Sequence, residues 1–174
     1  MDTHKHIITC TLWNATSVRN KHFELSKFLN EHNIDIAITE TWLKPSDNFK
    51  LRNYNIYRKD RPTTSDKNPG GGVLIAIRND IPVEYTPEPK LTNIEFLSIK
   101  LKQSPLFTIG AAYVPPKTKI TNTELDTITT KTGPGYFLIG GDYNAKRKNW
   151  NNLNRNANGS TINKHSELHN YHIL

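Results

Sequence analysis

The feature that most constrains this sequence is a set of short apolar runs, each ending in a polar residue of the same side-chain parity. Side chains two apart share one face of an extended strand. Over residues 7–13, Ile8, Cys10 and Leu12 share a face that continues to Asn14. Over 34–39, the face of Ile34, Ile36 and Ile38 continues to Glu40. Over 106–114, Phe107, Ile109 and Ala111 continue to Tyr113, and from 136–139 the face of Leu138 and Gly140 continues to Asp142 and then Asn144. Each stripe is expected to face the core and to end, at the C-terminal end of its strand, in a group capable of chemistry. If those ends converge, they line a cleft with two carboxylates, two amides and a phenol. A carboxylate just past a strand is ordinarily a solvated turn residue, and a tyrosine before Pro115-Pro116 is ordinarily core with its hydroxyl at the rim. The repetition in four strands weighs toward a site, on condition that the ends meet.

Further strands are expected at 54–58, 73–77 and 94–101, the second opened by Pro69-Gly70-Gly71-Gly72. A helix is expected at 20–32, with Val18, Leu25, Phe28 and Leu29 as its buried stripe and Asn33 as its stop. Weaker helices are expected at 122–130 and 161–171, and 44–68 is rich in loops. Many strands and few helices, several too closely spaced for crossovers, predict an α+β sandwich with antiparallel pairing. The 174 residues show no repeat and no linker, so residues 1–174 form a single domain, and 35% hydrophobic content supplies its core.

Several chemistries lack support. The glycine run is no phosphate loop, because no Gly-Lys-Ser/Thr follows it; its glycines suit a tight turn or a close backbone approach. The one cysteine, Cys10, rules out an internal disulfide and a cysteine zinc cluster. The seven histidines show no metal-ligand spacing, with His4 and His6 near a fraying terminus. There is no nucleophile elbow. No apolar run nears the roughly 20 residues of a membrane helix, and the start lacks a signal peptide, so the chain is expected to be soluble and intracellular.

The net charge is +7, from 23 Lys and Arg against 16 Asp and Glu, which favours a polyanionic partner. From Tyr143 to Ser166 no acidic residue occurs, while Lys146, Arg147, Lys148, Arg155 and Lys164 do, among eight asparagines. Two readings stay open: a solvated loop of turn formers, or a rim that faces phosphates. The strand-end residues suit the second. Magnesium takes oxygen ligands, one or two carboxylates among them, and amides and a phenol can hold phosphate oxygens and orient a water.

The same residues fall in ordered motifs: Leu12-Trp13-Asn14-Ala15, Thr39-Glu40-Thr41-Trp42-Leu43, Gly72-Val73-Leu74-Ile75-Ala76-Ile77, Ala112-Tyr113-Val114-Pro115-Pro116 and Gly140-Gly141-Asp142-Tyr143-Asn144-Ala145. Together they resemble the endonuclease/exonuclease/phosphatase superfamily. Asn144-Ala145-Lys146 followed by Trp150 and Asn158-Gly159 is similar to the apurinic-like endonuclease domain of jockey- and R-type LINE (non-LTR) retrotransposons. The resemblance covers about residues 7–174. It implies a four-layer αββα sandwich of the DNase I type and a magnesium-dependent attack of water on a DNA phosphodiester, with manganese as an alternative. By that resemblance Glu40 matches the metal-ligating glutamate, and Asp142 the aspartate that orients or deprotonates the water. Asn144 matches the amide that helps position it, and Asn14 and Tyr113 match groups that hold the scissile phosphate or its metal. DNA contacts are expected from Lys146, Arg147 and Arg155 in the basic loop and from Arg61 in the loop after the 54–58 strand. In such elements the nick primes reverse transcription, which implies a reverse transcriptase domain downstream and action in the nucleus.

One departure stands out. The family pattern closes with a further aspartate and a Ser-Asp-His motif on late strands, and this sequence reaches His169-Asn170-Tyr171-His172-Ile173-Leu174 without either. His169 and His172 lack a preceding Ser-Asp and fall in the expected last helix. The expectation is an incomplete domain without the late strands of the second half, with an open edge, uncovered apolar core, and impaired activity or stability. The alternatives are a catalytically dead nucleic-acid-binding remnant, which predicts salt-sensitive binding without cleavage, and a phosphatase acting on small phosphoesters, against which the Asn-Ala-Lys context argues.

Overall fold

A computed structural model describes residues 7–61, 70–102 and 105–174, apart from the side chains of residues 37–39. The readings made for His4, His6, Pro69 and the Ile38 side chain therefore lie outside the described part. The elements in chain order are β1 (Cys10–Trp13), α1 (His22–Glu31), β2 (Ile36–Glu40), β3 (Tyr54–Lys59), β4 (Val73–Arg78), β5 (Val83–Tyr85), β6 (Glu95–Leu101), β7 (Phe107–Tyr113), α2 (Asn122–Thr132), β8 (Tyr136–Asp142) and α3 (Ala157–His169). They form two four-stranded sheets, ordered β1-β2-β4-β3 and β5-β6-β7-β8. β1 and β2 are parallel, as are β7 and β8, and the other neighbours are antiparallel.

The two-residue period assigns each strand residue to a layer. Val73, Ile75 and Ile77 of β4 meet Leu97, Ile99 and Leu101 of β6 and Ile109, Ala111 and Tyr113 of β7 between the sheets. The alternate residues Leu74 and Ala76 face outward and pack with Val18, Leu25 and Leu29 on the α1 side. Phe96 and Ala112 do the same on the other side, with Leu125 and Ile128 of α2 and Ile162 of α3. Both faces of these strands are covered, which is why β4 reads as an unbroken apolar run and not as an alternation. The layers are those of the αββα sandwich.

Two expectations change in detail, and one short strand is added. Phe28 is 41% exposed while Leu25 and Leu29 are 1% exposed, because α1 buries a narrow i, i+4 stripe and Phe28 lies on its flank, against His32. α3 starts at Ala157, before residue 161, because the Asn156 side chain accepts from Gly159 N–H and caps it. It ends at His169 with Asn170 in the left-handed region, so His172 lies beyond the helix. β5, three residues after Pro82, was too short to show a period.

The larger correction concerns the first strand. Its expected core face is open: Cys10 is exposed and Leu12 is 55% exposed. β1 and β8 are edge strands of their sheets, and between them runs a groove of about 520 Å³ lined by Cys10, Leu12, Leu138, Gly140, Tyr171 and Ile173, among others. Among the described residues no other strand covers this edge. No helix of the described residues is long and apolar enough to cross a membrane.

Candidate active site

The strand ends do meet. Asn14, Glu40 and Asp142 line one cavity of about 180 Å³ at the C-terminal ends of β1, β2 and β8, walled by Leu12, Trp13, Val73, Ala112 and Gly141. Tyr113, the last residue of β7, pairs in register with Asp142. Asn14 Nδ2 donates to Asp142 Oδ2 at 3.3 Å, joining residues 128 positions apart across the two sheets. The other carboxylate oxygen accepts from Asn144 N–H at 2.8 Å. Asn144 itself lies in the left-handed region, and its Nδ2 donates to Val114 O at 2.9 Å. Its side chain therefore pins the turn after β8, while its backbone N–H orients Asp142.

Glu40 is 9% exposed, and its Oε1 accepts from the Trp42 indole N–H at 2.6 Å. Trp42 reaches back because it too lies in the left-handed region. Tyr113 is 7% exposed. Burial pushes its hydroxyl above the usual range, the nearby Glu40 charge adds to the rise, and Arg61 only partly offsets it. The phenol is therefore a donor at neutral pH.

The strand-end rule as first applied missed Glu95. Its side chain takes the Arg61 guanidinium on one oxygen and Gly72 N–H on the other, the latter at 2.5 Å. Arg61 in turn lies 5.3 Å from the Tyr113 ring centroid. A signal was there: Glu95 shares parity with Leu97, Ile99 and Leu101, but at the N-terminal end of its strand. β6 runs antiparallel to β7, so Glu95 pairs with Tyr113 and sits at the same edge. The glycine run is explained at the same place. Gly71 and Gly72 have φ of 89° and 77°, and a Cβ on Gly71 would fall 2.3 Å from the Arg61 guanidinium.

The basic loop splits into staples and rim. Asn156 Oδ1 accepts from Lys146 N–H and Gly159 N–H, both at 2.9 Å, and its Nδ2 donates to Asn144 O at 2.7 Å. Buried Asn158 bonds Ile120 and Thr118. These asparagines hold the loop against the sheet, so the asparagine richness is partly structural. Lys146 and Arg155 are exposed, and the Arg147 guanidinium sits 5.9 Å from the Trp150 ring. Arg61, by contrast, is tied into the Glu95–Tyr113 group and lies apart from this loop in the sequence.

The donor set lining the cavity is all oxygen and amide, with no sulfur or imidazole, which fits a hard divalent cation. Glu40 and Asp142 offer carboxylates. Asn14 Oδ1 already accepts from Thr16 N–H at 3.2 Å.

Residues 107–174 match the endonuclease-reverse transcriptase family of the endonuclease/exonuclease/phosphatase type. The chain is 27% identical over 168 residues to the RNA-directed DNA polymerase from mobile element jockey of Drosophila funebris, covering 94% of this chain and 18% of that protein. It is 30% identical over 162 residues to the probable RNA-directed DNA polymerase from transposon X-element of Drosophila melanogaster, covering 87% and 16%. The endonuclease domain of TRAS1, a telomere-specific non-LTR retrotransposon, superposes with a TM-score of 0.76 at 20% identity, covering 97% of this chain and 73% of that one. The chain is thus similar, over residues 107–174, to the endonuclease/exonuclease/phosphatase family model, resembles the front part of mobile-element polymerases, and shares the fold of a non-LTR retrotransposon endonuclease domain. An AP endonuclease from Archaeoglobus fulgidus shares the fold more distantly, with a TM-score of 0.57 at 18% identity over 93% of this chain and 71% of that one. The chain spans less than a fifth of the length of the two polymerases above.

Proposed function

We propose that this domain is a DNA endonuclease that hydrolyses phosphodiesters with magnesium, or manganese in its place, and makes the target-site nick for a non-LTR retrotransposon. The observation that carries the reading is the cavity that gathers Asn14, Glu40 and Asp142 beside Tyr113, from strands of both sheets. A bound divalent ion would offset charge on the phosphate and the leaving oxygen. Glu40, aimed by the Trp42 indole, is the residue to hold it, with Asn14 next to it. Asp142 is oriented on both oxygens, by Asn14 and by the Asn144 backbone, so it can align a water and accept its proton. Tyr113 donates its hydroxyl to a non-bridging phosphate oxygen. Lys146, Arg147 and Arg155 contact the backbone phosphates that flank the scissile one, and Arg61 contributes through its hold on Tyr113 and Glu95. The relatives are RNA-directed DNA polymerases, which supports a reverse transcriptase domain downstream; action on nuclear DNA is part of the same proposal.

A second reading rests on the exposed Lys146 and Arg155 alone: a domain that binds nucleic acid through its basic loop without cleaving it. Plasmid nicking decides. Supercoiled plasmid is incubated with magnesium and the chain, its Glu40→Ala and Asp142→Ala variants, or the chain with EDTA. Nicking is expected from the parent only, with each variant down by about 10²-fold or more. A folded parent chain that binds plasmid but leaves it supercoiled would overturn the endonuclease reading and leave the second. Release of phosphate from small phosphoesters without nicking would point to a phosphatase.

A further inference from the structure

Away from the strand-end site, α3 carries two histidines four residues apart, His165 and His169, so both imidazoles leave the same helix face. Asp126 of α2 faces them. His165 Nε2 lies 3.1 Å and His169 Nε2 3.2 Å from the same oxygen, Asp126 Oδ1. All three donor atoms lie within 4.8 Å of one another. The expectation that no histidines have metal-ligand spacing fails here. The pair sits at i, i+4, and its third partner comes from another helix 39 positions earlier.

Neutral rings that donate Nε2–H to Asp126, or a shared dication, would each hold this arrangement, whereas a pair of imidazolium ions would not. The two rings stack at 4.1 Å between centroids and 21° between planes, so two imidazolium ions would repel at close range. One carboxylate oxygen serves as the meeting point of both rings. Shared coordination of a dication avoids that repulsion, because neutral imidazoles are ligands and the positive charge sits between them. The dimensions agree. Nitrogen and oxygen ligands about 2.0–2.2 Å from a tetrahedral zinc lie about 3.3–3.5 Å apart, close to the two nitrogen–oxygen distances of 3.1 and 3.2 Å, and the two nitrogens lie within 4.8 Å of each other. The other ring nitrogen of His165 also has a fixed partner, since Nδ1 lies 3.0 Å from the Tyr171 hydroxyl. A phenol oxygen that accepts from Nδ1–H leaves the Nε2 lone pair for an ion. The His165 side chain is 2% exposed, while those of His169 and Asp126 are 37% and 52% exposed, so an ion can enter from solvent and keep a water in its fourth position.

We propose that Asp126, His165 and His169 form a zinc site that clips α2 to α3, separate from the strand-end cavity. Zinc suits a set of two imidazoles and one carboxylate, whereas magnesium takes oxygen ligands. The clip would bear on the rim, because Asn156, which caps α3, also holds Asn144 and Lys146.

The test uses the metal-stripped full chain without a histidine tag, in buffer with millimolar magnesium. Zinc chloride is titrated by calorimetry and thermal melting, and cobalt(II) absorption reports the geometry. One zinc per chain is expected, with a melting rise of about 5–10 °C at a hundredfold excess over Kd. His169→Ala, at a partly exposed position, is expected to fold, melt like the metal-free parent, and bind zinc at least tenfold more weakly. Glu40→Ala is expected to keep the whole zinc response. Three results would overturn the proposal: no zinc-dependent rise in the parent, an undiminished rise in His169→Ala, or a rise lost in Glu40→Ala, which would put the ion in the other cavity.

Discussion

Glu124 offers a quantitative test of how the helical layer is held on the second sheet. It is 8% exposed, and its two carboxylate oxygens accept from five donors: Thr92 N–H at 3.1 Å, Asn93 N–H at 2.7 Å, Asn93 Nδ2 at 3.0 Å, Thr121 N–H at 3.2 Å and Thr121 Oγ1 at 2.9 Å. It closes the capping box of α2 and ties that helix to the turn before β6. Burial alone would raise its pKa, but the hydrogen bonds from Asn93 and Thr121 together outweigh burial and hold it below the usual glutamate range. In Glu124→Gln, one acceptor oxygen becomes an NH₂ donor facing other donors. A lost charged hydrogen bond costs about 1.5–3 kcal/mol and a lost cap about 0.5–2 kcal/mol, and water recovers part of this near the surface. A net loss of about 3 kcal/mol is expected, or about 6–12 °C in melting temperature for a chain of this length. The pH dependence has a definite sign. A carboxyl with a depressed folded pKa contributes stability above its unfolded pKa of about 4.3 and loses it as pH falls through the folded value. The gap between parent and Glu124→Gln should therefore be full at pH 6–7 and close progressively below about pH 4. Circular-dichroism melts across that range provide the assay. A gap under 2 °C at neutral pH, or one that widens on acidification, would refute the account of Glu124 as a hydrogen-bonded buried anion.

Two further outcomes concern the site. In Gly141→Ala the added Cβ would lie 1.8 Å from Ala112 O, where real contacts stay above 3.0 Å, so β7 and β8 must part by about 1 Å; nicking should fall by about 10²-fold, with a lower melting temperature, and parent-like activity would show that Asp142 tolerates such a shift. In the double variant Lys146→Ala/Arg147→Ala, DNA binding should weaken and the slope of log affinity against log salt should flatten by about 1 per residue; an unchanged slope in a binding titration would remove both from the phosphate rim.

Much of the sandwich was legible because strand parity is a local property. β4, β6 and β7 each alternate between the inter-sheet core and a helical layer, and that alternation is written in the order of their residues. The same period carried Glu40, Tyr113 and Asp142 toward one edge, and the structure gathers them there with Asn14. Helix ends were less legible, because a single side chain decides them: Asn156 starts α3 four residues ahead of its apolar period.

The sequence by itself determined which side chains share a face and which chemical groups stand at the strand ends. It could not determine which ends lie together, since strand direction and sheet order depend on partners far along the chain. Glu95 joins Tyr113 only because β6 runs antiparallel to β7. Cys10 and Leu12 face an open groove only because β1 and β8 are edges. Asp126 meets His165 and His169 only because α2 and α3 pack on the same sheet. A two-residue period is set by backbone geometry within one segment, whereas each of these meetings is set by the burial of apolar area between segments, which no single segment encodes.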